Sequence, residues 1–522
     1  MNVTPGHAEV PRGNPLPENG VVGRLTTSQY NGLKSFWHEF FRLVDNAPDK
    51  GTDTHEHEQT EISRELFDDS KESELSNNPT SSKANQPSSN AVKDDNLKEK
   101  LRAEQELADA KAALEKYGRA RFLDTFWNMI MMDDPDVIVL KFLRARKWNV
   151  SAGVAMMAAC MKWRIEFGVE KIIEKGEEGY LNQEGFLHQL KIGKTFVQGT
   201  DRQGRPVVYI NVRLHKASDQ SPKTLEEFIV FSMECVRLML TPPLVEKVTI
   251  IIDMSGFGLA NMDWKSLAFI VKCLESYYPE SLNVLVVHNP PWVFQGLWKI
   301  IAPMLDPVVR AKIQISKTTE ELQDHIDARH LLSNLGGSNA WKWNYTPVVK
   351  DENKLMKSSV EERKMEMEKR KKLIHLYSEY TRQWAAESNQ HMELKEDLIL
   401  PEDPSVSARL RAFVTHHLRV QYFVLDPYIR GRSIYHRQGR VIGNGLITFT
   451  YPQLSSESSS SPSPSSPYSS SPSPSSSSPP DHHHAIDLWE VLGHNMSREH
   501  LLILIEKLKL KFEDEKIVYP VL

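Results

Sequence analysis

Few residues in this sequence combine the type and the spacing that covalent chemistry needs. Cys160, Cys235 and Cys273 each sit inside an apolar helical run, which suits reduced core thiols rather than a metal set. His55 and His57 lie in an acidic, polar tract and His482–His484 adjoin a Ser/Pro tract, contexts in which histidine runs are compositional. No GxSxG, CxxC, HExxH or phosphate-loop pattern occurs. Gly256-Phe257-Gly258 lacks the third glycine of a dinucleotide fingerprint. Asp253 ends an apolar strand-like run, where ligands of α/β folds gather, but it has no visible basic or hydroxyl partner and reads as a turn former. What remains is charge that can bind without reacting. Lys141, Arg144, Arg146 and Lys147 crowd one helix end, and Glu280 and Lys312 flank an apolar strand. Taken alone, these are a solvated helix end and surface charges.

The elements that carry them can be read locally. Asp134-Pro135 supplies a capping carboxylate and a proline at the first helical position. The helix that follows turns Ile138, Val139, Phe142 and Leu143 inward. A second helix, with Val154, Met157, Ala158, Met161 and Ile165, stops at Gly168. From Gly204 the period changes. Val208, Ile210, Val212 and Leu214 alternate as a strand, Ser221-Pro222 opens a helix that runs to Leu240, and Val248–Ile252 is a continuous apolar strand. A helix from Met262 to Tyr278, a strand at 282–287, a strand at 312–316 and a helix at 320–326 complete the run. Strands alternating with helices predict an α/β fold with a mostly parallel sheet.

One helix does not fit a closed core. Trp292, Val293, Phe294, Leu297, Trp298, Ile300, Ile301, Met304 and Leu305 make it apolar on nearly every side, with only Gln295 and Lys299 as polar relief. A helix resting on one face of a domain should show a polar face. Its second apolar face therefore meets something that is not always present.

Composition bounds the rest. The chain has 522 residues, 40% of them hydrophobic, and a net charge of −5, which gives no reason to expect nucleic acid. No run approaches a membrane span, so contact with lipid must be peripheral or made through a pocket. Residues 1–24 read as disordered, 25–45 as a short helix with Leu33, Phe36, Trp37, Phe40 and Leu43 on one stripe, and 46–96 as a disordered acidic linker. Residues 97–180 form a helical subdomain whose first part, to Tyr117, reads as a solvated helix. Residues 181–340 form the α/β domain, and 341–450 an extension with a charged helix, within which 407–450 read as ordered but short of a core. Residues 451–484 are Ser/Pro-rich and disordered, and 485–522 hold a helix and tail.

Six stretches in this order resemble the CRAL-TRIO lipid-binding family, the fold of yeast-type phosphatidylinositol transfer proteins. They are LKFLRARKWNVSAGVAMMAACMKWR (140–164), GRPVVYINV (204–212), IIDMSG (251–256), YYPESLNVLVVHNPPWVF (277–294), LDPVVRAKI (305–313) and LGG (335–337). The ANMDWKSLAFIVKCLESYYPES segment, LHK at 214–216 and DPYIRGRS further resemble a fungal branch. The resemblance implies a sheet that floors a lipid pocket closed by helices, preceded by the helical subdomain. It implies that Trp292–Leu305 is a gate, with Trp292, Phe294, Leu297, Trp298, Ile301, Met304 and Leu305 at the pocket. It assigns Arg146, Lys147, Glu280 and Lys312 to the phosphatidylinositol head group, Glu280 either meeting inositol hydroxyls or holding Lys147. Two departures stand out: Val309 replaces a threonine near the inositol, and Val248 and Ile250 replace the hydroxyl residues that hold phosphatidylcholine.

The expected function is non-enzymatic exchange or presentation of phosphatidylinositol, the bound phospholipid being ligand rather than cofactor, with no metal. The expected partners are phosphatidylinositol, a second lipid and, transiently, a membrane surface. The expected setting is a cytoplasmic monomer peripherally associated with endomembranes. The rivals are a carrier of a neutral sterol- or squalene-like lipid, a lipid-sensing scaffold that does not transfer, and an unrecognised hydrolase.

Overall fold

A computed structural model of the chain describes residues 19–48, 89–387 and 405–449, apart from 443, 444 and 446. The expectations for 1–18, most of the 46–96 linker and everything beyond 450 lie outside the described residues, as do the histidine runs. Residues 19–24, expected to be loose, form a tight turn whose Gly20 carbonyl accepts a hydrogen bond from Arg144 at 2.7 Å.

The helices begin where capping chemistry places them. Helix α1 (Thr27–Asp45) starts at a Thr26–Gln29 capping box. Helix α2 (Ser89–Ile130) bends at Gly118, whose φ of 79° breaks the helical path. Helix α3 (Pro135–Ala145) starts with Asp134 accepting from the Asp136 amide, and α4 (Val150–Phe167) ends at left-handed Gly168, both as expected.

The sheet comprises β1 (Thr195–Thr200), β2 (Pro206–Asn211), β3 (Val248–Asp253), β4 (Leu282–His288) and β5 (Ile313–Ser316), side by side in sequence order. Strand β1, which the hydropathy pattern did not reveal, pairs antiparallel with β2, and the other pairs are parallel. Helices α5 (Pro222–Arg237), α6 (Trp264–Lys272) and α7 (Phe294–Ile301) are the crossovers. Right-handed crossovers that always advance in the same direction lie on one face of a sheet. That face, here called the inner face, packs with Phe228 and Phe294, while Leu322, Ile326, Leu331, Leu332 and Leu335 fill the outer face. The 262–278 helix of the sequence reading is α6 plus a π turn at Cys273–Tyr277, and the 292–305 helix is α7 plus a 3-10 turn ending at Met304.

Two expectations about the flanks need correction. The 97–117 stretch is not solvated, because Ala110, Ala113 and Leu114 are buried in the helical core. The 25–45 helix forms as expected, and its apolar stripe packs into that same core with Phe36, Trp37 and Phe40 fully enclosed. The extension also has a core. Helices α8 (Val360–Ala386) and α9 (Val406–Ile429) bury Tyr377, Trp384, Phe413, Val414 and Leu418 against α1–α4. One carboxylate gathers them: Asp136 in the first turn of α3 accepts from Trp37 Nε1 at 2.7 Å, Arg411 Nη2 at 2.7 Å and Tyr377 Oη at 3.3 Å. An anion suits a helix N-terminus. Past α9 the chain reaches the sheet edge, where Tyr435 Oη accepts from the Val197 amide at 3.1 Å and Arg440 donates to the Val197 carbonyl at 2.6 Å. This caps an otherwise open edge strand.

Helical block and sheet are joined by a buried ion pair. Arg164 of α4 donates to Glu234 of α5 at 2.8 Å, and Tyr278 Oη donates to the same oxygen at 2.8 Å. Burial alone would raise the Glu234 carboxyl, but Arg164 and Arg237 outweigh it and hold the group at about 2. Glu234→Ala is therefore expected to lower the unfolding free energy by roughly 3–5 kcal/mol, measured by urea denaturation. A depressed carboxyl stabilises fully above its unfolded value of about 4.3 and loses that contribution as pH falls toward its folded value. The gap between wild type and variant should accordingly narrow between pH 4.3 and about 2.

Candidate functional site

Alternation along the strands sends successive side chains to opposite faces. On the outer face the packing is tight: Val207 and Ile251 are 0% exposed and Val286 1%. The inner face is filled less completely. Ile250 keeps 9% exposure and Leu285 8%, while Ile210, Ile252 and Ile313 are only partly buried. Val248 and Ile250 both point to this inner face, so its floor carries no hydroxyl at those two positions.

The crossover helices do not close the difference. Helix α6 carries Trp264, Leu267, Phe269, Ile270 and Val271, yet none of its residues is buried. Ile229 and Val236 of α5, Phe269 of α6, and Leu297 and Trp298 of α7 touch the inner-face core and stay half-buried. Helices α6 and α7 thus bring partly exposed apolar side chains to the seam between helices and sheet face, whereas α5 buries Leu225, Phe228 and Phe231 in the inner-face core.

The residues expected to form a gate divide by side. Phe294, Ile301 and Leu305 are buried, and Leu297 and Trp298 half-buried, on the protein side of α7. Trp292 and Met304 do not line the seam. They are 87% and 48% exposed and share the outer side with Ile300 at 55%. The second apolar face of this helix is therefore open to solvent, which is why the sequence shows no polar stripe.

The predicted polar residues fall into two separate pairs. Glu280, in a left-handed conformation with φ 53°, lies 3.4 Å from Lys312 and 3.9 Å from Lys247 through the same carboxylate oxygen. A strained non-glycine residue is the sort that clusters at functional sites. Arg146 instead donates to both oxygens of Glu106 on α2, at 2.7 and 3.0 Å. Lys147 is exposed, with Glu99 at 4.0 Å. Lys147 is thus paired away from Glu280, and Lys312 and Lys247 take the place the sequence reading offered it. The reading missed two neighbours. Lys247 had only its position before a buried strand as a signal. Lys141 belonged to the basic cluster but had no role; its Nζ donates to the Glu246 carbonyl at 3.0 Å and to Ser281 Oγ at 3.4 Å. Burial pushes the Lys141 ammonium down to about 8 against the pull of Glu246.

The reactive-looking groups are spent on structure. Asp253 accepts from the Ser255 amide at 2.9 Å, the turn expected of it. The three cysteines are free and buried, and burial pushes the Cys160 and Cys235 thiols up to about 12. Among the described residues no group of three His, Cys, Asp or Glu side chains is placed to hold a metal. Within the same residues no helix is long and apolar enough to cross a membrane.

Comparison with known proteins agrees with this geometry. Residues 190–337 match the CRAL/TRIO domain and residues 94–159 the CRAL/TRIO N-terminal domain. A CRAL-TRIO domain-containing protein of Schizosaccharomyces pombe is 38% identical over 318 residues, covering 60% of this chain and 68% of its own. The phosphatidylinositol transfer protein CSR1 of Eremothecium gossypii is 36% identical over 323 residues, covering 60% and 70%. The Sec14 cytosolic factor of Schizosaccharomyces pombe is 31% identical over 219 residues, covering 39% and 74%.

Unequal filling of the two faces can be tested by overpacking. Ile252→Phe, over the seam, is expected to cost under about 1 kcal/mol in chemical denaturation, whereas Ile251→Phe, on the packed face, should cost about 1–3 kcal/mol. Equal costs would mean that the inner face is already full.

Proposed function

This chain belongs to the CRAL/TRIO family, and from that premise we propose that it binds one phosphatidylinositol molecule in the seam between the inner sheet face and helices α5–α7, and exchanges or presents it between membranes. The observation that carries the reading is the apolar helix α7, which turns one face to the seam and the other to solvent. When the outer face rests on a bilayer, Trp292, Ile300 and Met304 leave water, which offsets the cost of lifting the inner face off the seam. The identity with a phosphatidylinositol transfer protein supports the choice of lipid class.

The energetics suit a carrier. Two acyl chains of about thirty CH₂ groups gain roughly 25 kcal/mol on leaving water, at ~0.8 kcal/mol each. Bilayer and seam offer nearly the same gain, so transfer between them is close to neutral and the passage through water is the barrier. The protein lowers that barrier without covalent chemistry.

In this reading Lys312 meets the phosphodiester and Glu280 turns to the inositol hydroxyls, exchanging one charge-assisted contact for others. Arg146 and Lys147 act from the α2 side of the head group, released from Glu106 and Glu99. Phosphatidylcholine is a poor second ligand, because a buried phosphate over Val248 and Ile250 would lack donors. The apolar floor favours a neutral sterol- or squalene-like lipid as the second guest. The work is done in the cytoplasm at endomembrane surfaces, by a monomer.

Lys312→Ala combined with Glu280→Ala is expected to abolish phosphatidylinositol transfer between liposomes while circular dichroism stays that of wild type. Unchanged transfer would remove these residues from the head-group site. Leu297→Asp should block transfer of any lipid, because a charge facing the seam opposes closure over the chains.

A further inference from the structure

Helix α5 has three sides, and one of them carries an acid without a counterpart. Leu225, Phe228 and Phe231 are buried in the inner-face core. Glu234 and Arg237 turn to the helical block, where Arg164 Nη1 donates to Glu234 at 2.8 Å and Arg237 Nη2 to the Met129 carbonyl at 2.5 Å. The third side is the stripe Glu226, Ile229, Met233 and Val236, whose helical spacing puts all four on one face. All are half-buried, and Ile229 and Val236 touch the inner-face core. This is the side that α5 presents to the seam.

Glu226 is the one charge on that stripe. It lies toward Cys273 at the C-terminal end of α6, whose thiol it helps to push up. One turn earlier on α6, Phe269 stacks on Phe167 with ring centres 5.7 Å apart. Among the described residues the Glu226 carboxylate makes no hydrogen bond and no ion pair, and burial alone, with no cation opposing it, raises its carboxyl above the ordinary value. A carboxyl among apolar side chains costs stability until a hydrogen-bond donor reaches it.

The chemistry narrows the guest that could answer it. A phosphate or a fatty acid would bring negative charge to a carboxylate. A pure hydrocarbon would strip water from it and supply no donor. A hydroxyl on an otherwise apolar body donates to a carboxylate and accepts from a carboxylic acid, so it suits either protonation state. We propose that Glu226 is a specificity-determining residue of the seam and selects, as the second guest, a neutral lipid with a free hydroxyl. That hydroxyl can belong to a sterol or to a diacylglycerol. Because Arg164 and Arg237 tie α5 to the helical block, the carboxyl keeps its place when α7 moves. The inference rests on the seam proposed above and decides between the sterol- and squalene-like guests that an apolar floor alone admits.

Uptake from liposomes by the full chain, read by native mass spectrometry, tests it. The probes are cholesterol, dioleoylglycerol, the O-methyl ether of each, and squalene, offered in phosphatidylcholine vesicles at equal mole fraction. At least one alcohol should load about tenfold or more above its ether and above squalene, as a site built to hydrogen-bond a hydroxyl requires, and the alcohol that does so identifies the source. Glu226→Leu should bring alcohol and ether to within about twofold, whereas Glu226→Gln, whose amide oxygen still accepts, should keep most of the preference. Circular dichroism checks that both variants fold, and the comparison of alcohol with ether in the wild type needs neither. Equal loading of alcohol and ether, no loading of either alcohol, or an undiminished preference in folded Glu226→Leu overturns the proposal. Phosphatidylinositol offered to the wild type in the same assay separates the two readings. A chain that loads it without preferring an alcohol leaves the proposed function standing and defeats the role of Glu226. A chain that prefers an alcohol and never loads phosphatidylinositol does the reverse.

Discussion

A parallel sheet has two faces to bury, and here one strand order decides how each is covered. Because β2 to β5 advance in one direction, their crossovers all fall on the inner face, and the outer face is left to the chain that follows β5. That later segment packs its face with Leu322, Ile326 and Leu331, each 0% exposed. The crossovers do not. They bury Phe228, Phe231 and Phe294 at the inner face and leave Ile229, Phe269, Leu297 and Trp298 half-buried.

The rest of the molecule holds that unfinished face at a fixed distance from a rigid frame. Arg164 and Glu234 tie the base of α5 to the helical block, and Trp163 stacks on Tyr277 at 3.9 Å where α6 returns to the sheet. Helix α7 buries Phe294 and Ile301 and leaves the rest of its surface half-buried or exposed. Its outer side is solvent, and its inner side rests on half-buried neighbours.

What the sequence disclosed follows from the range of the interactions. Helix starts at Asp134 and Ser221, the stop at Gly168 and strands β2 to β5 depend on residues a few positions apart, and these were legible. The embedding of α1, α8 and α9 was not, because Asp136 draws partners from positions 37, 377 and 411. Strand β1 escaped notice because Gln198 and Gly199 interrupt its apolar alternation. In the candidate site, the Glu280–Lys312 pair came through resemblance and is a contact in the structure. Lys247 was hidden because its role depends on a neighbour 33 positions away in sequence. The split of the 292–305 segment into buried and exposed sides was foreshadowed by its missing polar stripe, though which residues faced which way was not.

The account rests on an apolar guest completing the inner face. Native mass spectrometry of the full chain, purified from a eukaryotic host without detergent, weighs that guest directly. The account predicts a species heavier than the bare chain by one phosphatidylinositol molecule, displaced one-for-one on incubation with liposomes of another inositol lipid. A chain that flies only at its own mass, and gains none after exposure to such liposomes, would contradict it.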